Sequence, residues 1–162
     1  VIGLDHGHIY GMCNGLTEAG AELAMVWDPD PQKVAAFLKV FPGTRVAKSE
    51  AEILEDQKIR LVASAPVPVL RSGLGLRAFE HGKDYFTDKP PLTTRSQLEE
   101  VRQATSESGL RYAVYYSERL HRQGRSSHQY RPSPNQPRSA SSLVLSEGTV
   151  RRDSCRYWIP SD

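Results

Sequence analysis

Gly3-Leu4-Asp5-His6-Gly7-His8-Ile9-Tyr10-Gly11 is the stretch on which the fold turns. It follows the short β-rich run Val1–Leu4 and leads into a helical pattern from about Ile9 to Ala19, ended by Gly20. A glycine-bearing turn between a strand and a helix suits a nucleotide diphosphate. Backbone N–H groups and the helix dipole favour an anion there, and a Cβ would block its approach. A G-x-G-x-x-G register begun at Gly3 places Asp5 and His8 at its second and third glycines, and Gly7 supplies the small position late. Three readings of the turn stand: a phosphate cradle of Gly3, Asp5, His6, Gly7, His8 and Ile9; a metal site of Asp5, His6 and His8; or a plain structural turn. The first is preferred and no metal is assigned, since no fourth ligand is suggested. An Asp beside a phosphate needs a positive partner, and His6 and His8 stand nearest to it in sequence.

Outward from the turn, short apolar runs alternate with helical stretches up to about residue 120, which predicts a parallel sheet with crossover helices. Leu23–Trp27 reads as a strand. Asp30 caps the next helix, with Pro31 at its first position. Val34, Phe37, Leu38 and Phe41 then recur at i, i+3, i+4, i+7, so one face of that helix is buried. Pro42-Gly43 stops it. A short strand near Arg45–Ala47 precedes Ser49-Glu50-Ala51-Glu52, which has the form of a capping box. Ile59–Ala65 is nearly continuously apolar, as a strand covered on both faces should be. A helix over Val69–His81 ends at Gly82, and Asp84–Thr87 is the next strand. Thr94-Arg95-Ser96-Gln97 opens a further helix that ends at Gly109, and Arg111–Tyr116 is the last strand. The predicted class is α/β, a doubly wound Rossmann-like sheet over residues 1–120.

Asp28 ends the second strand, 25 residues after Gly3. A carboxylate there accepts hydrogen bonds from ribose hydroxyls and repels a 2′-phosphate, which favours NAD over NADP. With Asp30 as the helix cap, Asp28 is expected to be free for the ribose. Thr87-Asp88-Lys89-Pro90 lies at the carboxyl end of the fifth strand, where open α/β sheets bind ligands. Lys89 there is suited to hydrogen-bond a hydroxyl undergoing oxidation and is the candidate catalytic residue.

Residues 1–120 resemble the N-terminal domain of the Gfo/Idh/MocA oxidoreductase family. Asp88-Lys89-Pro90 stands where that family carries Glu-Lys-Pro, and His81-Gly82-Lys83-Asp84 resembles the step before that strand. Ala65-Pro66 matches a small-residue–Pro turn that contacts the cofactor. Val114-Tyr115-Tyr116-Ser117-Glu118-Arg119-Leu120 resembles the exit into a second domain. The resemblance implies a nicotinamide dinucleotide held by Gly3, Asp5, His6, Gly7, His8, Ile9, Asp28, Ala65, Pro66, Asp88, Lys89 and Pro90. It also implies a small sugar or polyol substrate, with Lys89 beside the reacting oxygen.

After Leu120 the composition changes. Residues 121–162 hold 9 Ser, 7 Arg and 4 Pro, and a net charge of 7 − 3 = +4 against 14 − 16 = −2 for residues 1–120. Together with a mean hydropathy of −0.51 for the chain, this predicts an irregular, disordered tail. The substrate domain that the resemblance implies is not legible in it, so the chain is expected to be truncated and inactive by itself. A shifted reading frame is a candidate cause. One permitted codon choice for Asp153–Asp162, read from the second base, gives Ile-Leu-Val-Asp-Ile-Gly-Ser-His-Gln, like a segment of that missing domain. The chain also opens inside a strand, and a few residues are expected before Val1.

Other classes are disfavoured. Seven Arg spread through the tail without an RGG or repeated RS unit argue against nucleic-acid binding. No apolar run approaches the roughly 18–20 residues that span a bilayer. Cys13 and Cys155 form no ligand spacing, and a reducing, cytoplasmic setting is expected.

Overall fold

The computed structural model describes residues 1–116 and the backbone of Tyr157–Trp158. The expectations of an irregular tail and of a frame shift fall on residues outside these, as do Ser117–Leu120 of the exit motif. Among the described residues five helices run as α1 (His8–Glu18), α2 (Pro31–Val40), α3 (Glu50–Glu55), α4 (Pro68–Glu80) and α5 (Arg95–Ser108). The strands are β1 (Met25–Val26), β2 (Arg45–Val46), β3 (Leu61–Ser64), β4 (Asp84–Asp88), β5 (Tyr112–Tyr115) and β6 (Tyr157–Trp158). β1 pairs parallel with β2, β3 with β4 and β4 with β5, while β6 lies antiparallel to β5.

The opening segment 1–4 joins the two hydrogen-bonded sets. Trp27 N–H donates to the Val1 carbonyl at 2.9 Å, and Ile2 N–H donates to the Ala63 carbonyl at 3.0 Å. It makes one parallel bridge, Ile2 to Trp27, rather than a full strand. The order across the molecule is therefore β2, β1, segment 1–4, β3, β4, β5, β6. Order reverses between segment 1–4 and β3, the kind of crevice where open α/β sheets take ligands.

Alternation along the strands divides the core between two faces. Ile2, Val62, Tyr85 and Tyr112 pack with Ile53, Leu54, Leu74 and Val101 of α3, α4 and α5. Val1, Leu4, Val26 and Ala63 pack with Ile9, Met12, Val34 and Phe37 of α1 and α2. Successive strand residues feed opposite faces, so β3 sends Val62 to one core and Ala63 to the other, and its polar Ser64 is buried against the Tyr85 hydroxyl. Leu38 and Phe41 are only partly buried against their face.

The helix termini follow their sequence signals with one exception. Asp30 caps α2, accepting the Gln32 N–H at 2.8 Å. At α5 the box closes both ways: Thr94 Oγ1 accepts the Gln97 N–H, and Gln97 Oε1 accepts the Thr94 N–H, each at 3.2 Å. At α3 only half forms. Ser49 Oγ accepts the Glu52 N–H at 3.2 Å, but the Glu52 carboxylate is drawn one residue further back. It accepts the Lys48 N–H at 2.6 Å and pairs with Arg45 at 2.5 Å, so a stronger charged partner wins over the reciprocal cap bond.

Candidate functional site

The carboxyl ends of segment 1–4, β1, β3 and β4 meet around the glycine turn. Gly3 has φ +77°, and a Cβ on it would come 3.0 Å from Pro66 Cβ, so the turn and Ala65-Pro66 are in close contact. The Ala65 N–H donates to the Gly3 carbonyl at 3.1 Å, and the His6 N–H donates to the Ala65 carbonyl at 3.0 Å. Gly7 caps α1, whose first turn carries no acidic residue. Among the described residues nothing lies within 4 Å of a Cβ built on Gly7, so they leave this helix end open. Gly11 is needed for a different reason: a Cβ there would meet the Tyr115 hydroxyl of β5 at 2.9 Å. Ile9 is fully buried in the core beneath the turn.

Asp28 lies at the end of β1 but is not free. Its Oδ2 accepts the Leu4 N–H at 2.7 Å, its Oδ1 accepts the Asp30 N–H at 2.8 Å, and its side chain is 1% exposed. The expectation that Asp30 as cap would leave Asp28 unengaged is corrected on this point. The carboxylate holds the glycine turn, and each oxygen keeps a lone pair for a further donor.

The charge balance of the turn also differs from expectation. Asp5 is offset by Lys33 of α2, whose Nζ lies 2.5 Å from Asp5 Oδ1, and Asp5 Oδ2 accepts the Val67 N–H at 3.1 Å. The hydrogen bond from Lys33 holds the Asp5 carboxyl below its ordinary value of 3.8. His6 and His8 turn the other way, to Asp88 at the end of β4. His6 Nδ1 lies 3.0 Å from Asp88 Oδ2, and His8 Nδ1 lies 2.9 Å from Asp88 Oδ1. The cluster Asp5–His6–His8 is thus not formed, and Asp88 replaces Asp5 beside the two imidazoles.

Asp88 is 1% exposed and has two further partners. The Lys89 N–H donates to Oδ1 at 2.8 Å, and the Arg71 guanidinium lies 3.5 Å from Oδ2. Arg71 also donates from Nε to the Pro66 carbonyl at 2.8 Å and from a terminal nitrogen to the Pro90 carbonyl at 3.0 Å. One buried guanidinium therefore ties the Ala65-Pro66 turn to the Asp88-Lys89-Pro90 turn. Lys89 is half-buried, Pro90 is exposed, and the bond between them is cis.

Every sequence-selected residue thus falls at this edge, with Ile9 below it. Sequence reading missed Arg71, Lys33 and Tyr115. Arg71 carried a legible signal, because it stands with Leu74, Gly75 and Ala78 at i, i+3, i+4, i+7 on the buried stripe of α4.

This geometry fits a dinucleotide: an open helix N-terminus over glycine, a carboxylate at the end of the next strand, and a Lys at the end of β4, one strand beyond the reversal of strand order. The family model described as an oxidoreductase family with an NAD-binding Rossmann fold, Gfo/Idh/MocA, matches residues 2–116. The chain belongs to this family. Its fold recurs in the crystal structure of a protein assigned as an oxidoreductase from Erwinia carotovora atroseptica, with 46% identity and a TM-score of 0.71. That match covers 74% of this chain and 36% of the other. The WlbA dehydrogenase of Bordetella pertussis, solved with NADH and UDP-GlcNAcA, shares the fold at 19% identity and TM-score 0.66, over 75% of this chain and 37% of that one. KijD10, a 3-ketoreductase of Actinomadura kijaniata solved with NADP and TDP-benzene, does so at 21% and 0.62, over 75% and 38%. The Gfo/Idh/MocA chain described here therefore spans just over a third of the length of each of these relatives. No curated protein matches it. Among the described residues no helix is long and apolar enough to cross a membrane.

Proposed function

We propose that this chain serves hydride transfer between a nicotinamide dinucleotide, NAD in preference to NADP, and a hydroxyl-bearing carbon of a sugar or polyol. The observation that carries the reading is the Arg71 tie, which fixes Lys89-Pro90 against the same crevice that the glycine turn borders. The nicotinamide would supply the hydride acceptor. The chain's own residues hold and orient: Gly3 and Gly7 leave room for the diphosphate, and the α1 N-terminus faces its charge. Ala65, Pro66 and Pro90 wall the crevice. The remaining lone pairs of Asp28 suit ribose hydroxyls and oppose a 2′-phosphate. Lys89 Nζ would hydrogen-bond the substrate oxygen and take part in moving its proton.

Fluorescence titration with NADH and NADPH tests the binding half; NADH should bind the more tightly, and equal affinity would remove the role given to Asp28. Assay on a polyol panel tests the catalytic half. Lys89→Ala should lower any turnover by about 100-fold or more while NADH still binds, and an unchanged rate would remove Lys89 from the reaction. A second reading is nucleotide binding without turnover. NADH binding with no turnover on any polyol would support it. For either reading we propose a reducing, cytoplasmic setting.

A further inference from the structure

The glycine turn carries more nitrogen donors than a phosphate cradle requires, and they converge. His6, His8 and Asp88 each offer one ligand atom, all within 4.8 Å of one another. We propose that His6, His8 and Asp88 form a binding site for a divalent first-row transition-metal ion, held through both imidazole Nδ1 atoms and the Asp88 carboxylate.

Three observations carry this beyond a pair of hydrogen bonds. The first is a conflict at one nitrogen. His6 Nδ1 faces the Asp88 carboxylate at 3.0 Å, which calls for a proton on that nitrogen. The same Nδ1 also lies 3.3 Å from the His8 backbone N–H, which calls for a lone pair. A neutral imidazole nitrogen is donor or acceptor, never both. A cation between Nδ1 and the carboxylate takes the place of the proton that pair calls for, and it uses the one Nδ1 lone pair in preference to the long 3.3 Å contact with the His8 N–H.

The second is spacing. Metal bonds to imidazole nitrogen and carboxylate oxygen run about 2.0–2.2 Å, so ligands at right angles stand about 3.0 Å apart and tetrahedral ones about 3.4 Å. The two nitrogen–oxygen separations are 3.0 and 2.9 Å. Each nitrogen thus stands at the right-angled separation from its own oxygen, His6 from Oδ2 and His8 from Oδ1, so Asp88 would meet the ion with both oxygens between the two imidazoles.

The third is support. The Lys89 N–H on Oδ1 and Arg71 beside Oδ2 orient the carboxylate from behind, as outer partners orient a ligand. The burial gradient fits an ion entering from solvent: the Asp88 side chain is 1% exposed, His8 29% and His6 50%. Two imidazoles select a transition metal over Mg²⁺.

The test is calorimetric titration of the chelator-treated full chain with Zn²⁺, Co²⁺ and Mg²⁺, without nucleotide. Zn²⁺ and Co²⁺ should each bind at one equivalent and Mg²⁺ should not. His6→Ala and His8→Ala should each weaken Zn²⁺ by at least about tenfold, and the double variant should lose the site. Asp88→Asn should do the same, but it alters a buried group, so the exposed His6 gives the decisive variant. No Zn²⁺ heat, Mg²⁺ binding equal to Zn²⁺, or Zn²⁺ binding unchanged in both His variants would overturn the proposal. The last outcome would place the ion on other residues such as His81, His121, His128 or Cys155. NADH titration of the same variants reads the nucleotide reading separately, so either can fail alone.

Discussion

The two ends of the sheet bury charge in opposite ways. At the amino end Lys83, just before β4, is buried with Nζ donating to the carbonyls of Asp56 and Ile59 at 2.7 and 2.9 Å. Burial pushes its ammonium below the usual lysine range, and only the more distant Asp56 charge opposes this. Two of its donors are spent on one loop. At the carboxyl end Asp28, Arg71 and Asp88 are buried too, yet they join four separate segments and leave His6, His8 and Lys89 at the mouth. The same cost, taking a charge out of water, yields a clamp at one end and a site at the other. Burial of a charged group therefore says little about function until its partners are counted.

Arg71→Met should break the carboxyl end most severely. It strips the guanidinium from a buried carboxylate and leaves the Pro66 and Pro90 carbonyls unpaired, a loss of about 3–5 kcal/mol of folding stability. Urea unfolding reads this, and NADH affinity should fall with it, because two walls of the crevice lose their tie. A loss below 1 kcal/mol would show that Arg71 does not organise this end. Lys83→Met is the matching change at the other end and should cost about 2–3 kcal/mol for its two charge-assisted bonds. Here NADH affinity of the folded protein should stay within about twofold. If it moves in step with stability, the two ends are not independent.

Gly3→Ala sharpens the comparison within the carboxyl end. Its φ of +77° and the 3.0 Å approach to Pro66 Cβ should cost on the order of 1–2 kcal/mol of backbone strain. The turn should shift away from Pro66 and weaken NADH binding more than stability.

Much of this was written locally in the chain. Asp30-Pro31, Thr94 with Gln97, and Gly20, Gly82 and Gly109 at positive φ mark ends that neighbouring residues decide. The burial of β3 follows from its nearly continuous apolar run, in which Ser64 is the polar exception. Asp28 and Lys89 were legible because strand ends are. What was not legible depends on residues distant in sequence. His6 and Asp88 are 82 positions apart, and they meet only because segment 1–4 and β4 flank β3 and end at the same edge. Asp5 faces Lys33 rather than the neighbouring imidazoles because α2 returns over the turn. Glu52 misses its reciprocal cap because Arg45, on β2, reaches it first.

Asp5 gives the smallest effect and the most specific one. The Lys33 hydrogen bond lowers its carboxyl pKa in the folded chain relative to the unfolded one. The unfolded state then binds more protons between the two values, so folding gains stability as pH rises through that window. The contribution is fully present above the ordinary value of 3.8 and is lost as pH falls through the lower, folded value. Asp5→Asn should therefore shift the urea midpoint down slightly at pH 7 and leave it unchanged from the parent near pH 2. Both groups are partly exposed, so 1 M salt should shrink the difference at pH 7. A difference that persists at pH 2, where the Asp5 carboxyl is uncharged, would mean that the ion pair with Lys33 is not what Asp5 contributes to this turn. The charge at Asp5 would then be incidental to the fold.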